Sequence, residues 1–491
     1  MIAGVSAKAL SVAPVVMKIG SNPDRFAISE CCAAVFQGNW VLSSLSRSLL
    51  FSVALSVAAF APPSASAETI LGAMAEAYTN NPDLNAARAG LRATDEGVAI
   101  AKSGYRPQIA ATASATRTST HLGGTNFDIQ SNSASVGVTF TQSLFDGFQT
   151  KNNVRAAEST VFGGRQDLVN TEMAILLSAA QIYANLVRDL KIVQVRKQNL
   201  QFLQEQRNAS QARFDVGEGT RTDIALAQAQ LEFARAALLA AQAQYKSSIA
   251  VYVQIVGKAP KNLKAPTAAR KILPASSAAA VQIGLREHPS ILSAQYTVDA
   301  AGFNVKSIEG TLLPNVSLNG SVTQSDAGGS TGSVSANLNV PIYQGGAASA
   351  RVRQSKETLG QARILVDSAR REVEQSILTD WAQLEASNAS ISANRAQVNA
   401  AQLALKGVVE ERKVGQSTTL DVLATQSNVL SAQEDLAQSQ RDAVVASYSL
   451  LRSMGRLTVQ RLGLRVAGYK PEQHYEAVKD KWFGLRTVDG R

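Results

Sequence analysis

Cysteine is nearly absent from this chain of 491 residues, which contains only Cys31 and Cys32. Both precede a stretch typical of a secretory signal peptide, residues 46–68, with one basic residue, an apolar segment and an Ala-Ser-Ala cleavage site. We therefore expect an exported chain without a thiol, disulfide or cysteine metal site, and without a cysteine for lipid attachment at the cut. About 45 residues precede the signal, so a later translation start, at Val35 or Val41, is an alternative.

Aromatic residues make up only 5% of the chain, and long apolar runs are lacking. No run after the signal approaches the roughly 18 residues of a membrane-spanning helix, so a membrane location would not use such helices. Ala, Gln and Ser dominate long stretches, which favours extended helices over a compact globule.

Clustered positive charge is absent as well. The net charge is +10, but the basic residues are scattered and become denser only after Arg452. Because nucleic-acid-binding arms concentrate their Lys and Arg, we expect no nucleic-acid partner.

Catalytic and cofactor-binding patterns are also lacking. His121, His288 and His474 show no ligand spacing, and there is no phosphate-binding loop. The Gly-Gly-Ser-Thr-Gly stretch at 328–332 matches a nucleophile pattern, but it joins two predicted strands instead of a strand and a helix. The sequence therefore predicts a protein that is not an enzyme and has no cofactor or metal site.

An internal duplication organises the rest of the chain. The stretch Val-Gly-Glu-Gly-Thr-Arg-Thr-Asp ends at Asp223 and recurs 198 positions later as Val-Gly-Gln-Ser-Thr-Thr-Leu-Asp, which ends at Asp421. Gly257 and Gly455 share this offset. We infer an N-terminal extension with the signal peptide, a first repeat, a Pro- and Lys-rich connector, a second repeat and a basic tail, at 1–67, 68–257, 258–276, 277–456 and 457–491.

Each repeat is predicted to contain two strands, one very long helix and one returning helix. The bounds are about 105–145, 147–213 and 221–257 in the first repeat, and about 312–343, 346–412 and 418–455 in the second.

The predicted strands alternate with a period of two. In residues 136–140 Val, Val and Phe alternate with Gly and Thr, and in 334–342 apolar residues alternate with Ser and Asn. Strands of about 9–11 residues can cross a bilayer when tilted. A soluble antiparallel sheet with one buried face would show the same alternation, so the strands alone leave both readings open.

The helices favour the membrane reading. Apolar residues recur every seven positions, which predicts coiled-coil packing along the length of the helices; examples are Ile377, Leu384, Ile391, Val398 and Leu405.

Four strands cannot close a barrel, for which about eight is the practical minimum. Because open edges are excluded from lipid, several chains would have to share one barrel, and three chains would supply twelve strands.

The chain resembles the TolC family of outer-membrane efflux channels over essentially all of 68–456. The resemblance is carried by the tandem repeat, by Asn-Pro-Asp-Leu at 81–84, by the strand-to-helix junctions Phe-Asp-Gly and Pro-Ile-Tyr-Gln-Gly, and by the two repeated tip stretches. It implies a mixed α+β, mostly helical homotrimer. Its shared 12-strand transmembrane β-barrel would take four strands from each chain and continue into a periplasmic α-helical coiled-coil tunnel.

The resemblance also implies a function. Family members are passive exit ducts in the outer membrane of Gram-negative bacteria, serving tripartite drug efflux pumps and type I protein secretion. We therefore expect contact with outer-membrane lipid, a periplasmic adaptor protein, and an inner-membrane pump or ABC transporter; the cargo, whether drugs, detergents or proteins, stays open. A competing hypothesis is a secreted coiled-coil scaffold or adhesin with soluble β-domains.

The tip aspartates have two readings. Thr220 and Thr418 each stand three residues before an aspartate, which is the spacing of a capping box, so helix capping alone would explain both carboxylates. In the family fold the tunnel narrows at the tips. The resemblance therefore implies a periplasmic constriction, whose candidate residues are Asp421, Asp223, Arg221 and Arg412.

The chain departs from the family pattern beside the second aspartate. Ser417 stands where some members have arginine, and Ala424 where members commonly have an acidic residue. A carboxylate ring therefore remains an expectation, while the family's full gate network is not matched.

The tips are also where the family docks its periplasmic adaptor. The candidate docking residues are Val216, Gly217, Val414 and Gly415. Glycine permits a left-handed turn between antiparallel helices, so turn chemistry alone would also explain the two glycines.

Overall fold

The computed structural model describes residues 68–121 and 128–490, which lie in one unit, Ala65–Arg491. The predicted signal peptide and both cysteines lie outside the described residues.

The described residues are mostly helical. Their ten α-helices are α1 Ile70–Asn80, α2 Pro82–Lys102, α3 Gln149–Asp215, α4 Arg221–Val256, α5 Ser277–Glu287, α6 Pro289–Gly310, α7 Ala347–Lys413, α8 Thr419–Ser453, α9 Val459–Leu462 and α10 Pro471–Val478. Their four strands are β1 Gln108–His121, β2 Asp128–Phe145, β3 Asn315–Ser325 and β4 Ser330–Asn339. The element order of the first half recurs in the second, as the tandem repeat predicts.

Each half opens with a short helix and a second helix that begins at a proline. The Asn81 side chain caps α2 by accepting the Asp83 N–H at 2.9 Å, and His288 Nδ1 caps α6 by accepting the Ser290 N–H at 3.1 Å. The proline after each cap has no N–H to satisfy, which suits the first helical position. The second half therefore keeps the helix start although the capping residue differs.

The long helices α3 and α7 have 67 residues each, or about 100 Å at 1.5 Å per residue. The helix α3 packs against α4 and α8, and α7 packs against α8, so the packing order is α4–α3–α8–α7. Apolar residues at heptad spacing on α4, α7 and α8 line these contacts, as the seven-residue pattern predicts. The buried ones include Leu231, Leu238, Tyr252, Ile377, Leu384, Val398, Val422, Val429, Ala443 and Leu450.

The main apolar core lies near the middle of the two long helices. Tyr183 of α3 and Tyr252 of α4 are fully buried and contact each other, and the Tyr183 hydroxyl donates to the backbone oxygen of Glu68 at 2.7 Å. Ile377 of α7 and Met74 of α1 belong to the same core. The short helices α1 and α5 thus fix the chain beside the midpoint of the long ones.

The four strands form one antiparallel sheet in chain order, so β1 and β4 are its edges. The β2–β3 pairing joins the two repeats, and Val138 lies opposite both Ala111 and Val322. The apolar face carries Ile109, Val138, Val322, Val334 and Leu338, all at least 49% exposed.

The opposite face of the sheet is polar. Across it, Ser114 and Ser135 are hydrogen-bonded at 2.9 Å, and Ser321 and Ser333 at 2.8 Å. None of the described residues covers either face, whereas a soluble antiparallel sheet would bury one of them.

The strand β4 ends earlier than its sequence pattern predicts. The alternation of apolar residues continues to Ile342, but the strand stops at Asn339. Pro341 has no N–H for a ladder bond, which explains the early end.

The helix α4 has an 18-residue window apolar enough to cross a membrane by composition, which the sequence analysis did not find. Its buried positions recur at heptad spacing against α3, as in a coiled coil. We therefore interpret α4 as one rod of the helical part.

The C-terminal tail packs along the first repeat. Leu457, Val459 and Leu462 join the main core, and α10 lies against α2. From sequence alone the tail could pack midway along the helices or be disordered, because its short elements carry no long periodic pattern.

Candidate functional site

The two predicted tips are formed by the same turn. Val216 and Val414 follow α3 and α7 with identical backbone angles, φ −95° and ψ 6°. The next residues, Gly217 and Gly415, have φ of 81° and 80°, a left-handed conformation in which glycine carries no Cβ penalty.

Backbone hydrogen bonds close each turn. In the first tip, the N–H of Gly217 donates to the carbonyl of Phe214 and the next N–H donates to that of Arg213, both at 2.9 Å. The equivalent bonds in the second tip measure 3.2 and 2.9 Å. This is the Schellman motif, which satisfies the last carbonyls of a helix.

The side chains at these turns point outward. Val216 is 71% exposed and Val414 is 72% exposed, and a Cβ at Gly217 or Gly415 would meet no atom within 4 Å. The two tips therefore present apolar surface that nothing in the described residues covers.

Both aspartates complete a capping box. Thr220 Oγ1 accepts the Asp223 N–H at 3.2 Å, and Asp223 Oδ2 accepts both the N–H and the hydroxyl of Thr220, at 3.2 and 2.6 Å. Thr418 and Asp421 repeat the arrangement at 3.2, 2.9 and 2.6 Å. The hydrogen bonds from the threonines hold the pKa of each carboxyl below its usual value.

Arg412 bridges the two hairpins from a buried position. It is 7% exposed, and its guanidinium donates to Gln206 Oε1 at 3.0 Å and to Ser210 Oγ at 3.2 Å, both on α3. It also donates to Thr419 Oγ1, in the first turn of α8, at 2.7 Å. Burial, and secondarily Arg213, lowers the pKa of Arg412, which stays cationic at neutral pH.

Asp223 and Arg412 meet through Thr419. The Thr419 hydroxyl contributes to lowering the pKa of Asp223, and the charge of Arg412 acts in the same direction. Asp421 and Arg221 lie outside this cluster and are exposed. The structure thus brings together two of the four predicted constriction residues and leaves the other two open to solvent.

Sequence reasoning missed the partners of Arg412. Gln206 and Ser210 stand four positions apart, on one face of α3, but polar residues at that spacing occur throughout this chain. Thr419 directly follows the capping residue Thr418, and the capping-box pattern assigns no role to it. The one sequence signal for this cluster was Arg412 itself, a basic residue at the end of a long heptad pattern.

Polar contacts continue along the α3–α8 seam. Asn199 accepts from Gln426 at 2.8 Å, and both side chains are buried. Further along, Arg196 binds Glu434 at 2.7 Å, and Arg441 donates to Asn185 at 2.6 Å. The boundary between the two hairpins is therefore held by polar contacts as well as by packing.

Metal-binding groups are lacking in the part of the chain that the structure describes: no cluster of three or more His, Cys, Asp or Glu residues could hold an ion there. The tips therefore offer hydrogen bonding, charge and apolar surface.

Comparisons with known proteins agree with this architecture. The sequence model described as outer membrane efflux protein matches residues 73–258 and 280–456, one match for each repeat. The outer membrane efflux protein BepC of Brucella suis is 51% identical over 431 residues, covering 86% of this chain and 93% of BepC. The outer membrane protein TolC of Escherichia coli is 24% identical, with 84% and 86% covered.

A solved structure has the same fold. The structure of CusC, described in terms of transmembrane channel formation, superposes with a TM-score of 0.69 at 17% identity, covering 79% of this chain and 92% of CusC.

Proposed function

Because the chain belongs to the outer membrane efflux protein family, we propose that it is the outer-membrane exit duct of a tripartite efflux pump. It conducts cargo passively from inner-membrane and periplasmic partners to the exterior. The observation that carries the proposal is the sheet with one apolar and one Ser- and Asn-rich face, both uncovered by the described residues. Outer-membrane lipid covers the first face, and a water-filled lumen lies against the second.

A homotrimer closes the barrel. The edges β1 and β4 carry unpaired N–H and C=O groups, which lipid cannot satisfy. Pairing β4 of one copy with β1 of the next, three times over, gives a closed barrel of twelve strands. No nucleic acid takes part.

The helical edges favour the same assembly. The helices α4 and α7 lie at the two ends of the packing order, and both expose large apolar side chains. Phe233 of α4 is 68% exposed, and Leu403 of α7, at a similar distance from the tip, is 72% exposed. Contact between α4 of one copy and α7 of the next would cover such residues and complete a tunnel of helices.

Asp421 and Asp223 form the constriction of this tunnel. Three copies of each carboxylate near one axis attract cations and narrow the path. Arg412 holds the two hairpins together behind them, and Arg221 is the exposed basic residue beside Asp223.

The periplasmic adaptor docks on the exposed tips. Val216 and Val414 supply apolar contacts, and Gly217 and Gly415 keep the turns tight enough to fit a groove on a partner. The adaptor links the duct to an inner-membrane pump, which provides the energy.

Fractionation and a deletion strain test the proposal. The chain is expected in the outer-membrane pellet as a heat-modifiable trimer, and its deletion should sensitise cells to detergents and dyes. Recovery of the chain as a soluble monomer would overturn the proposal in favour of a secreted scaffold.

Assaying export of a type I substrate in the same strain separates the two kinds of duct. The 51% identity to a protein named as an outer membrane efflux protein favours efflux over protein secretion. Loss of protein export without any change in drug sensitivity would assign the chain to secretion instead.

A further inference from the structure

The end of the C-terminal tail is held beside the sheet by several contacts. Tyr475 of α10 is buried in a small cluster with Val98 of α2 and Val161 of α3, and Val478 of α10 is buried as well. Beyond α10, Asp480 forms an ion pair with Lys102 at 2.6 Å.

Arg106 ties the next residues to the first strand. Its guanidinium donates to the backbone oxygen of Lys481 at 2.7 Å and lies 4.8 Å from the centre of the Trp482 ring. Gln108, the first residue of β1, follows Arg106 by two positions. At about 3.3 Å per residue, Trp482 lies close to this end of the sheet.

The tail then displays large apolar side chains to solvent. Trp482 is 66% exposed, Phe483 is 89% exposed and Leu485 is fully exposed. A hydrogen bond of 2.7 Å from Lys481 Nζ to the backbone oxygen of Arg486 closes this segment into a turn. The segment that carries these exposed side chains is thus held by contacts of Lys481 and Trp482 with the rest of the chain.

This end of the sheet is the one from which the long helices leave. The strand β1 begins here, and β2 ends here shortly before α3. Exposed apolar residues continue around it: Tyr105 is 55% exposed, Phe148 is 54% exposed and Leu312 is 45% exposed. In a barrel that crosses the outer membrane, this rim lies at the periplasmic face of the bilayer.

We propose that residues 481–486 form an interfacial anchor, which inserts Trp482, Phe483 and Leu485 into the periplasmic leaflet of the outer membrane. The proposal rests on the proposed function, since it needs the barrel in that membrane. Trp is enriched at such interfaces, where its ring lies at the level of the headgroups. Arg106, Lys481 and Arg486 place three cations at this rim. The nearby carboxylate of Asp480 also interacts with Arg106 but is paired with Lys102, so the rim keeps a net positive charge toward lipid phosphates.

A second copy of the chain is the competing occupant. In a closed barrel, the segment after β4 of the neighbouring copy would approach β1, and its Ile342 and Tyr343 are exposed. That segment, residues 339–346, contains no Asp or Glu that could pair with the three cations. The phosphates of lipid headgroups carry the negative charge that it lacks. Charge complementarity therefore favours lipid.

Fluorescence quenching by brominated lipid tests the anchor in the intact trimer. Trp40, Trp381 and Trp482 are the only tryptophans of the sequence, so Trp40→Phe with Trp381→Phe leaves Trp482 alone. In bilayers of brominated lipid we expect its emission to fall about twofold relative to unbrominated lipid, as for a ring at the interface.

Two companion variants give the controls. Trp40→Phe with Trp482→Phe leaves Trp381, which donates to Glu385 far along α7 and should not be quenched. Adding Val138→Trp to a chain without its native tryptophans probes the apolar face of the sheet.

Quenching at position 138 without quenching of Trp482 would overturn the anchor alone. A blue-shifted but unquenched Trp482 would then assign the segment to contact with a second copy. Absence of quenching at both positions would overturn the membrane placement, and with it the proposed function.

Discussion

Arg412 of α7 donates a hydrogen bond to Ser210 of α3 at 3.2 Å, so a buried cation links the two hairpins of one chain at their tips. The same guanidinium holds Thr419, which contacts Asp223. One side chain thereby connects the end of α7, the start of α8 and the cap of α4. Its removal should loosen the tips relative to one another.

Arg412→Ala should widen the proposed constriction at the tips. One hydrogen bond from a charged donor contributes about 1.5–3 kcal/mol, so losing all three should cost at least about 2 kcal/mol locally. Amide exchange near Ser210 and Thr419 should therefore accelerate, and single-channel conductance in planar bilayers should rise. Arg412→Lys should restore these properties only in part, because an ammonium group lacks the planar fork that reaches three acceptors.

Arg221→Ala is the matched control for Arg412→Ala. It removes the same charge from an exposed position in the first turn of α4. Equal effects of the two substitutions would show that net charge, and not the bridge, controls the tip.

Asp421→Asn separates the charge of the second tip from its capping role. The asparagine oxygen can still accept from Thr418, so α8 should begin at the same residue. Loss of three negative charges in the trimer should weaken block by divalent cations and raise conductance. Unchanged block and conductance would leave Asp421 as a helix cap only.

The pH dependence of channel block by divalent cations should report the hydrogen bonds from Thr418 to the Asp421 carboxylate. Thr418 holds the pKa of Asp421 below its usual value. A carboxyl with a lowered pKa stays charged until the pH falls through that lowered value, and its stabilising effect is lost there. Block should therefore persist at pH 5 and disappear only below the usual aspartate range of about 4.

Thr418→Val tests the same hydrogen bonds by removing the threonine hydroxyl that binds Asp421. Without them, the titration of the block should move toward higher pH, and exchange of the first α8 amides should accelerate about fivefold for a cap of about 1 kcal/mol. Thr425→Val removes a hydroxyl that donates to the backbone carbonyl of Asp421 and not to its carboxylate. It should therefore leave the titration of the block and the exchange of the first α8 amides unchanged. A titration already complete at pH 5 in the unmodified chain would mean that repulsion within a carboxylate ring outweighs the capping bonds.

Much of this architecture follows from periodicity in the sequence. The heptads predict α3, α4, α7 and α8 because one spacing holds over dozens of residues, and alternation predicts the strands for the same reason. The strand end at Asn339 shows the limit, since a single proline outweighs the pattern. The tips are likewise predicted from the sequence, by a glycine at the turn and by the Thr-x-x-Asp spacing of the cap. Both features depend only on residues that are close together in sequence.

The partners of Arg412 could not be predicted in the same way. Ser210 is about 200 residues away in sequence, and the register of α7 against α3 decides which polar residues meet. The contact of Arg106 with Trp482 is equally non-local, at the end of a tail whose short elements have no period. Arg412 itself is a candidate from the sequence, but its partners in these distant contacts are visible only in the structure.

Val414→Ser tests adaptor docking. Val414 is 72% exposed and contributes apolar surface outside the fold, so the substitution should leave the trimer and its conductance intact. We expect reduced detergent resistance in cells and weaker cross-linking to the adaptor. Val216→Ser is the matched comparison at the first tip, and unchanged resistance in both variants and in their combination would argue against docking at the valines.

Phe233→Ser tests the edge of the helical part. In the proposed trimer this side chain of α4, 68% exposed in one copy, is buried against α7 of the next copy. Truncating an aromatic anchor at an interface commonly costs about 2 kcal/mol, so the temperature at which the trimer dissociates in detergent should fall. Leu239→Ser is the control, because Leu239 is also exposed on α4 but lies about 120° around the helix from Phe233. An equal fall for both variants would mean that general exposure of α4, and not contact with α7, sets trimer stability. No fall for either would place the subunit contact on another surface, and would leave the pairing of β1 with β4 as the main connection between copies.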